Sequence, residues 1–171
     1  KDKNIVHRDI KPDNIFYNMN KDGTIQCFLG DYGFAALTTE QLPKKVIPGT
    51  PYYLNEKCLN AWYDGKEFGS YEADQFAIGV VLLKFWAYKN NLHDPMKDLF
   101  DMLQTIPIEG ELQRKKAISE FHKGWQKFLE SDATQIPFDV FFTYTGEEVI
   151  LETMTIEDKA ILKEFYKFNK E

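Results

Sequence analysis

The sequence predicts a mainly α-helical fold that carries one small β-hairpin near its start, and three observations point there. "YEADQFAIGVVLLKFWAY", residues 71–88, is apolar on nearly all faces from Phe76 onward, the pattern of a helix buried on every side. Residues 111–130 repeat apolar side chains at Ile118, Phe121, Trp125, Phe128 and Leu129, spacings of three and four that make an amphipathic helix. Near the start, the apolar runs Ile15 to Tyr17 and Ile25 to Leu29 flank "NMNKDGT", in which Asp22-Gly23 favours a tight turn.

In chain order, the two short strands of the hairpin come first. Residues 31–56 follow with glycines, prolines and threonines but no helical periodicity, a long irregular segment of the kind that is usually functional or disordered. Gly69-Ser70 marks the start of the central helix. Asp94-Pro95 opens "MKDLFDMLQ", and the amphipathic helix that comes next is broken by residues 131–137. "FDVFFTY", residues 138–144, fits either a strand or an extended packing segment. Thr155 with Asp158 three residues on resembles a capping box for a last helix over about residues 156–168.

Composition narrows the classes. At 171 residues with 43% hydrophobic content the chain suits one globular domain, and its 14 Phe, 9 Tyr and 3 Trp argue against disorder. A net charge of -6 without any basic stripe speaks against nucleic acid as a partner. Cys27 and Cys58 lack metal-ligand spacing and are expected to be reduced thiols in a cytoplasmic setting. The longest apolar run, Phe76 to Leu83, falls well short of the roughly 18 to 20 residues that span a bilayer, so no membrane segment is expected. The chain begins at Lys1 rather than at a methionine, and an upstream segment is expected.

The chemistry concentrates in "HRDIKPDN", residues 7–14. Transfer of a phosphoryl group needs a residue to orient the attacking hydroxyl, oxygen ligands for magnesium, and a cation against the phosphate oxygens. Asp9 would accept the hydroxyl proton, Lys11 would neutralise the moving phosphoryl group, and Asn14 would offer a neutral oxygen to the metal. Asp31 in "GDYG" supplies a second oxygen ligand, and the hairpin between residues 15 and 29 would return it to Asn14.

These residues resemble the protein kinase family. "HRDIKPDN" matches the H-R-D-x-K-P-x-N catalytic loop, "DYG" is similar to D-F-G, and "GTPYYLNE" resembles the end of the activation segment. "ADQFAIGVVL" looks like the family's central helix, whose aspartate, here Asp74, braces the catalytic loop. The resemblance is good to about residue 90 and weak beyond it.

The resemblance implies the large C-terminal lobe of a serine/threonine kinase, a partial kinase domain over residues 1–171 whose ATP-covering small lobe is absent. It implies ATP and magnesium (Mg2+) as cofactors, bound through Lys11, Asn14 and Asp31, a protein as substrate, and the missing lobe as partner. Arg8 would meet a phosphate on Thr38 or Thr39, while Thr50 would bond Asp9 and Lys11 and His7 would pack as a spine residue. There are also departures. The sequence has no G-x-G-x-x-G and no strand resembling V-A-I-K, Glu56 stands one residue nearer Thr50 than the family's pattern has it, and no D-x-x-R follows. Two alternatives stay open: a pseudokinase or scaffold, and a kinase for a small molecule or lipid, against which "GTPYY" favours protein.

Overall fold

The structure, a computed structural model, describes residues 4–37, 48–66, 70–89, 95–107, 109–132 and 154–166. The chain divides into two compact units, Lys1–Val81 and Leu82–Glu171. Thr38, Thr39 and the "FDVFFTY" segment lie outside the described residues.

In the first unit, β1 (Ile5–Val6) pairs antiparallel with β4 (Ala36–Leu37), placing Val6 opposite Ala36. Between them lies the hairpin of β2 (Ile15–Met19) and β3 (Ile25–Leu29), with Ile15 opposite Leu29 and Met19 opposite Ile25. Its turn is closed where Asp22 Oδ1 accepts from the Thr24 amide at 2.9 Å and Gly23 takes φ 82°, a left-handed angle that glycine adopts without a side-chain clash. One step beyond the ladder, the Gly30 amide donates to the Asn14 carbonyl at 2.9 Å. A Cβ on Gly30 would stand 2.6 Å from the Phe16 ring, so the ring lies across a position only glycine leaves open.

Helix α1 (Glu56–Tyr63) lies in a stretch the sequence reading left without an element. It is delimited by side-chain and backbone signals at both ends. Asn55 caps it, and Gly65, at φ 67°, ends it with the Lys66 amide bonded to the Ala61 carbonyl at 2.8 Å. Helix α2 (Tyr71–Lys89) starts from Ser70, whose Oγ accepts from the Ala73 amide at 3.2 Å. The core of this unit gathers Val6, Ile10, Tyr53, Leu54, Leu59, Phe76, Ala77 and Val80.

α2 is not buried on every face as its sequence suggests. Ile78, Phe85 and Tyr88 are 36%, 56% and 83% exposed, and their spacing puts them on one side of the helix. The composition of the helix is apolar all round, but burial depends on what lies against each face.

The second unit packs α3 (Pro95–Thr105) against α4 (Glu111–Glu130), and α4 against α5 (Ile156–Tyr166). α4 occupies the span its periodicity predicts and buries Ile118, Phe121, Trp125, Phe128 and Leu129. His122 also lies on its buried side, where loss of water pushes its pKa down to about 3 and keeps the imidazole neutral. At α5 the expected cap is present: Thr155 Oγ1 accepts from the Asp158 amide at 3.1 Å, and Asp158 Oδ2 accepts from Trp86 Nε1 at 2.9 Å. Lys159 Nζ donates to the Ser131 carbonyl and lies 4.3 Å from the centre of the Phe128 ring. No helix among the described residues is long and apolar enough to cross a membrane.

Candidate active site

The loop between β1 and β2 holds the charged residues, and its backbone is unusual before any side chain is considered. Arg8 sits at φ 69°, a left-handed angle rare for residues with a Cβ. The Asp74 carboxylate of α2 compensates, because Oδ2 accepts from the His7 amide at 2.6 Å and Oδ1 from the Arg8 amide at 2.9 Å. These are the amides expected for a brace. Burial pushes the Asp74 pKa up, and the bonds from the two amides with the charge of Arg8 pull it partly back.

His7 is buried and reads both sides of the loop. Gly30 has only a carbonyl to offer, so His7 Nε2 carries the proton that bonds it at 3.0 Å, and Nδ1 is left to accept from the Asp9 amide at 3.4 Å. Its ring also meets Tyr32 edge-on, with centroids 5.0 Å apart. The imidazole thus ties the loop between β1 and β2 to the end of β3 and the "DYG" turn.

Asp9 is 5% exposed and both its oxygens are engaged. Oδ1 accepts from Thr50 Oγ1 at 2.7 Å; Oδ2 accepts from Lys11 Nζ at 2.8 Å and from Asn14 Nδ2 at 3.3 Å. Lys11 Nζ in turn donates to Thr50 Oγ1 at 3.2 Å. Burial alone would raise the Asp9 pKa, but the Lys11 hydrogen bond and charge, with the bonds from Thr50 and Asn14, outweigh it and hold the carboxylate below its ordinary value. Asp9, Lys11 and Thr50 therefore form one ionised, hydrogen-bonded group. The walls of the small cavity beside it include Arg8, Tyr53, Leu54, Ala73 and Asp74.

Asn14 is also buried. Its Nδ2 donates to the Asp9 carbonyl at 2.8 Å, which fixes the amide so that Oδ1 is the atom left for another ligand. Because the Gly30 amide bonds the Asn14 carbonyl, the next residue, Asp31, begins beside this loop. Asp31 is exposed, in the left-handed region at φ 58°, and only its Oδ1 is drawn aside, by the Gly33 amide at 3.3 Å. One neutral oxygen and one carboxylate suit a magnesium ion, which keeps several waters and takes its remaining ligands from substrate phosphates. No group of three or more His, Cys, Asp or Glu fit to hold a metal occurs among the described residues. The donor set here is one amide oxygen, from Asn14, and one carboxylate, from Asp31.

Arg8 Nε donates to the Phe34 carbonyl at 2.5 Å, which ties its guanidinium to the "DYG" turn. Thr38 and Thr39, its expected partners when phosphorylated, lie outside the described residues. Two features of the site were missed in the sequence. Tyr53 and Leu54 wall the cavity, and burial with the nearby charges of Asp13 and Asp9 pushes the Tyr53 phenol up to about 12. Asn55 caps the helix that follows them, and an Asn directly before Glu56 was the signal for it.

The family model described as "Protein kinase domain" matches residues 1–136, beyond the first ninety residues that carry the motifs. The chain belongs to the protein kinase family. Among curated relatives, it is 44% identical over 92 residues to serine/threonine-protein kinase Nek1 of Mus musculus, covering 52% of this chain and 7% of that protein. It is 35% identical over 153 residues to serine/threonine-protein kinase DCLK3 of the same species, 87% of this chain and 18% of that protein. With serine/threonine-protein kinase max-2 of Caenorhabditis elegans it shares 31% identity over 133 residues, 77% of this chain and 19% of that protein. The chain thus spans less than a fifth of the length of each of these relatives.

Proposed function

We propose that this chain is the large-lobe part of a serine/threonine protein kinase that, joined to a small lobe, moves the γ-phosphoryl group of ATP to protein hydroxyls with magnesium. The observation that carries the reading is the bonded group of Asp9, Lys11 and Thr50, with Asn14 fixed against it. A scaffold has no use for an ionised carboxylate held against a lysine in this way.

The substrate hydroxyl oxygen attacks the γ-phosphorus, the bond from phosphorus to the bridging oxygen breaks, and ADP leaves with its electron pair. Asp9, with a pKa held below the ordinary carboxylate range, is a weak base. Its part is to accept a hydrogen bond from the hydroxyl, orient it in line, and receive the proton late, after phosphorus–oxygen bond formation is well advanced. Lys11 opposes the charge on the transferring oxygens, and Thr50 keeps both groups in register. Asn14 and Asp31 would hold magnesium, which would supply positive charge against the negative charge of the phosphates.

The hairpin supports the need for a second lobe. Phe16, Tyr17, Met19, Ile25 and Phe28 are 47% to 72% exposed on its two faces, apolar surface that a partner would cover. A phosphate on Thr38 or Thr39 would draw Arg8 from the Phe34 carbonyl. The thiols of Cys27 and Cys58 suit a cytoplasmic setting.

The test is Asp9→Asn in the full-length protein, assayed for transfer of labelled phosphate from ATP to a peptide. Orientation by the carboxylate predicts a fall in kcat of about a hundredfold or more with little change in the KM for ATP. A parent without transfer activity, or a variant as fast as the parent, would overturn the reading.

A further inference from the structure

The ion pair that the resemblance leads one to seek at the end of the activation segment is missing among the described residues, where Glu56 makes none. Something else must hold that end. Asn55 is 5% exposed, its Oδ1 accepts from the Cys58 amide at 2.8 Å, and its carbonyl accepts from the Leu59 amide at 2.8 Å. It therefore starts α1, whose Cys58 and Leu59 are buried.

Immediately before it the backbone forms a short hydrogen-bonded turn. The Tyr53 amide donates to the Thr50 carbonyl at 2.9 Å and the Leu54 amide to the Pro51 carbonyl at 3.1 Å. Thr50 at the far end holds Asp9 and Lys11. From Asp9 the chain thus runs through Thr50 and a short hydrogen-bonded turn, which the Leu54–Asn55 peptide link joins directly to the cap of α1.

We propose that Asn55 is a positioning residue for the phosphoryl-transfer site: by capping α1 it holds the turn at Pro51–Tyr53 so that Thr50 stays bonded to Asp9 and Lys11. The inference rests on the kinase reading for its consequence in activity, but not for its effect on the turn. A cap whose acceptor is removed lets the first turn of the helix fray, and here the fraying end is joined directly to the residue that registers Asp9.

The experiment compares Asn55→Ala, Asn55→Ser and the parent in the full-length protein by two readouts. Amide hydrogen exchange at Tyr53 and Leu54 should speed up about fivefold in the alanine variant and return to within about twofold of the parent in the serine variant, which can still cap. In peptide phosphorylation, kcat/KM for the peptide should fall by about fivefold in the alanine variant and recover with serine, while the KM for ATP stays unchanged. If the alanine variant does not fold, Asn55→Val, which likewise cannot cap and better fills the buried space, carries the comparison. Exchange at Tyr53 and Leu54 that stays at the parent rate, or a serine variant as impaired as the alanine one, would overturn the proposal. An inactive parent would instead remove the kinase reading, and the exchange result would still decide the role of Asn55.

Discussion

Removing the Asp74 carboxylate should cost about 2 kcal/mol of stability, and the structure shows where that figure comes from. Asp74→Ala deletes the acceptor for two successive amides, those of His7 at 2.6 Å and Arg8 at 2.9 Å. His7 is 4% exposed, so water cannot fully replace the lost bond. A buried donor left unpaired costs about 1 to 3 kcal/mol, and the Arg8 amide, on a half-buried residue, costs less. Arg8 also loses the contact that compensates its left-handed backbone, itself unfavourable by about 1 to 2 kcal/mol. Against these losses stands relief of the penalty for burying a carboxylate, the same penalty that pushes the Asp74 pKa up. Urea unfolding of parent and variant measures the difference directly. A loss below about 0.5 kcal/mol would place Asp74 in the range of ordinary surface substitutions and refute its role as a brace.

The pH dependence follows from the two opposite shifts. Asp74, with its pKa raised, favours the fold below its unfolded value and loses that contribution as pH rises through its folded one, whereas Asp9, with its pKa lowered, contributes above its unfolded value and loses this as pH falls toward its folded one. Stability should therefore drop below about pH 4 in the parent, a drop that Asp9→Asn should flatten and Asp74→Ala should leave in place when unfolding is followed across the acid range. On the proposed reading Lys11, Asn14 and Asp31 supply only one wall for a nucleotide, so the 171-residue chain by itself should bind ATP with magnesium at roughly millimolar or weaker, less than about 4 kcal/mol. Micromolar binding by calorimetry would mean that residues of this chain form a cover over the nucleotide.

Much of the fold was legible because its signals are local. Asp22-Gly23 places the hairpin turn, and the three-and-four spacing sets both ends of α4. The pairing of β1 with β4 was not legible, since Ile5 and Leu37 meet across the chain with two residues on each strand and no periodicity to read. α1 escaped for a different reason: its eight residues are too short for a periodic pattern, and its signals are the cap residue Asn55 and the terminal Gly65. In the site, the residue types of "HRDIKPDN" pointed to Asp9, Lys11 and Asn14, and the contacts of Thr50 and Asp74 agree with those expected of them. The left-handed backbones of Arg8 and Asp31 could not be read, because nothing in an arginine or an aspartate calls for positive φ. The exposed side of α2 was misread since composition records that Ile78, Phe85 and Tyr88 are apolar, not what lies against them.

The account rests on Asp31 and Asn14 serving a magnesium-bound nucleotide beside Asp9, and one measurement addresses it most directly. Asp31 is exposed, and among the described residues its carboxylate accepts only the long bond from the Gly33 amide, so Asp31→Ala should leave the urea midpoint of the full-length protein close to that of the parent. Transfer of labelled γ-phosphate from ATP to a peptide in saturating magnesium should nevertheless fall to background. Turnover near the parent rate from a variant that folds as well as the parent would contradict the assignment of this site as a place of phosphoryl transfer.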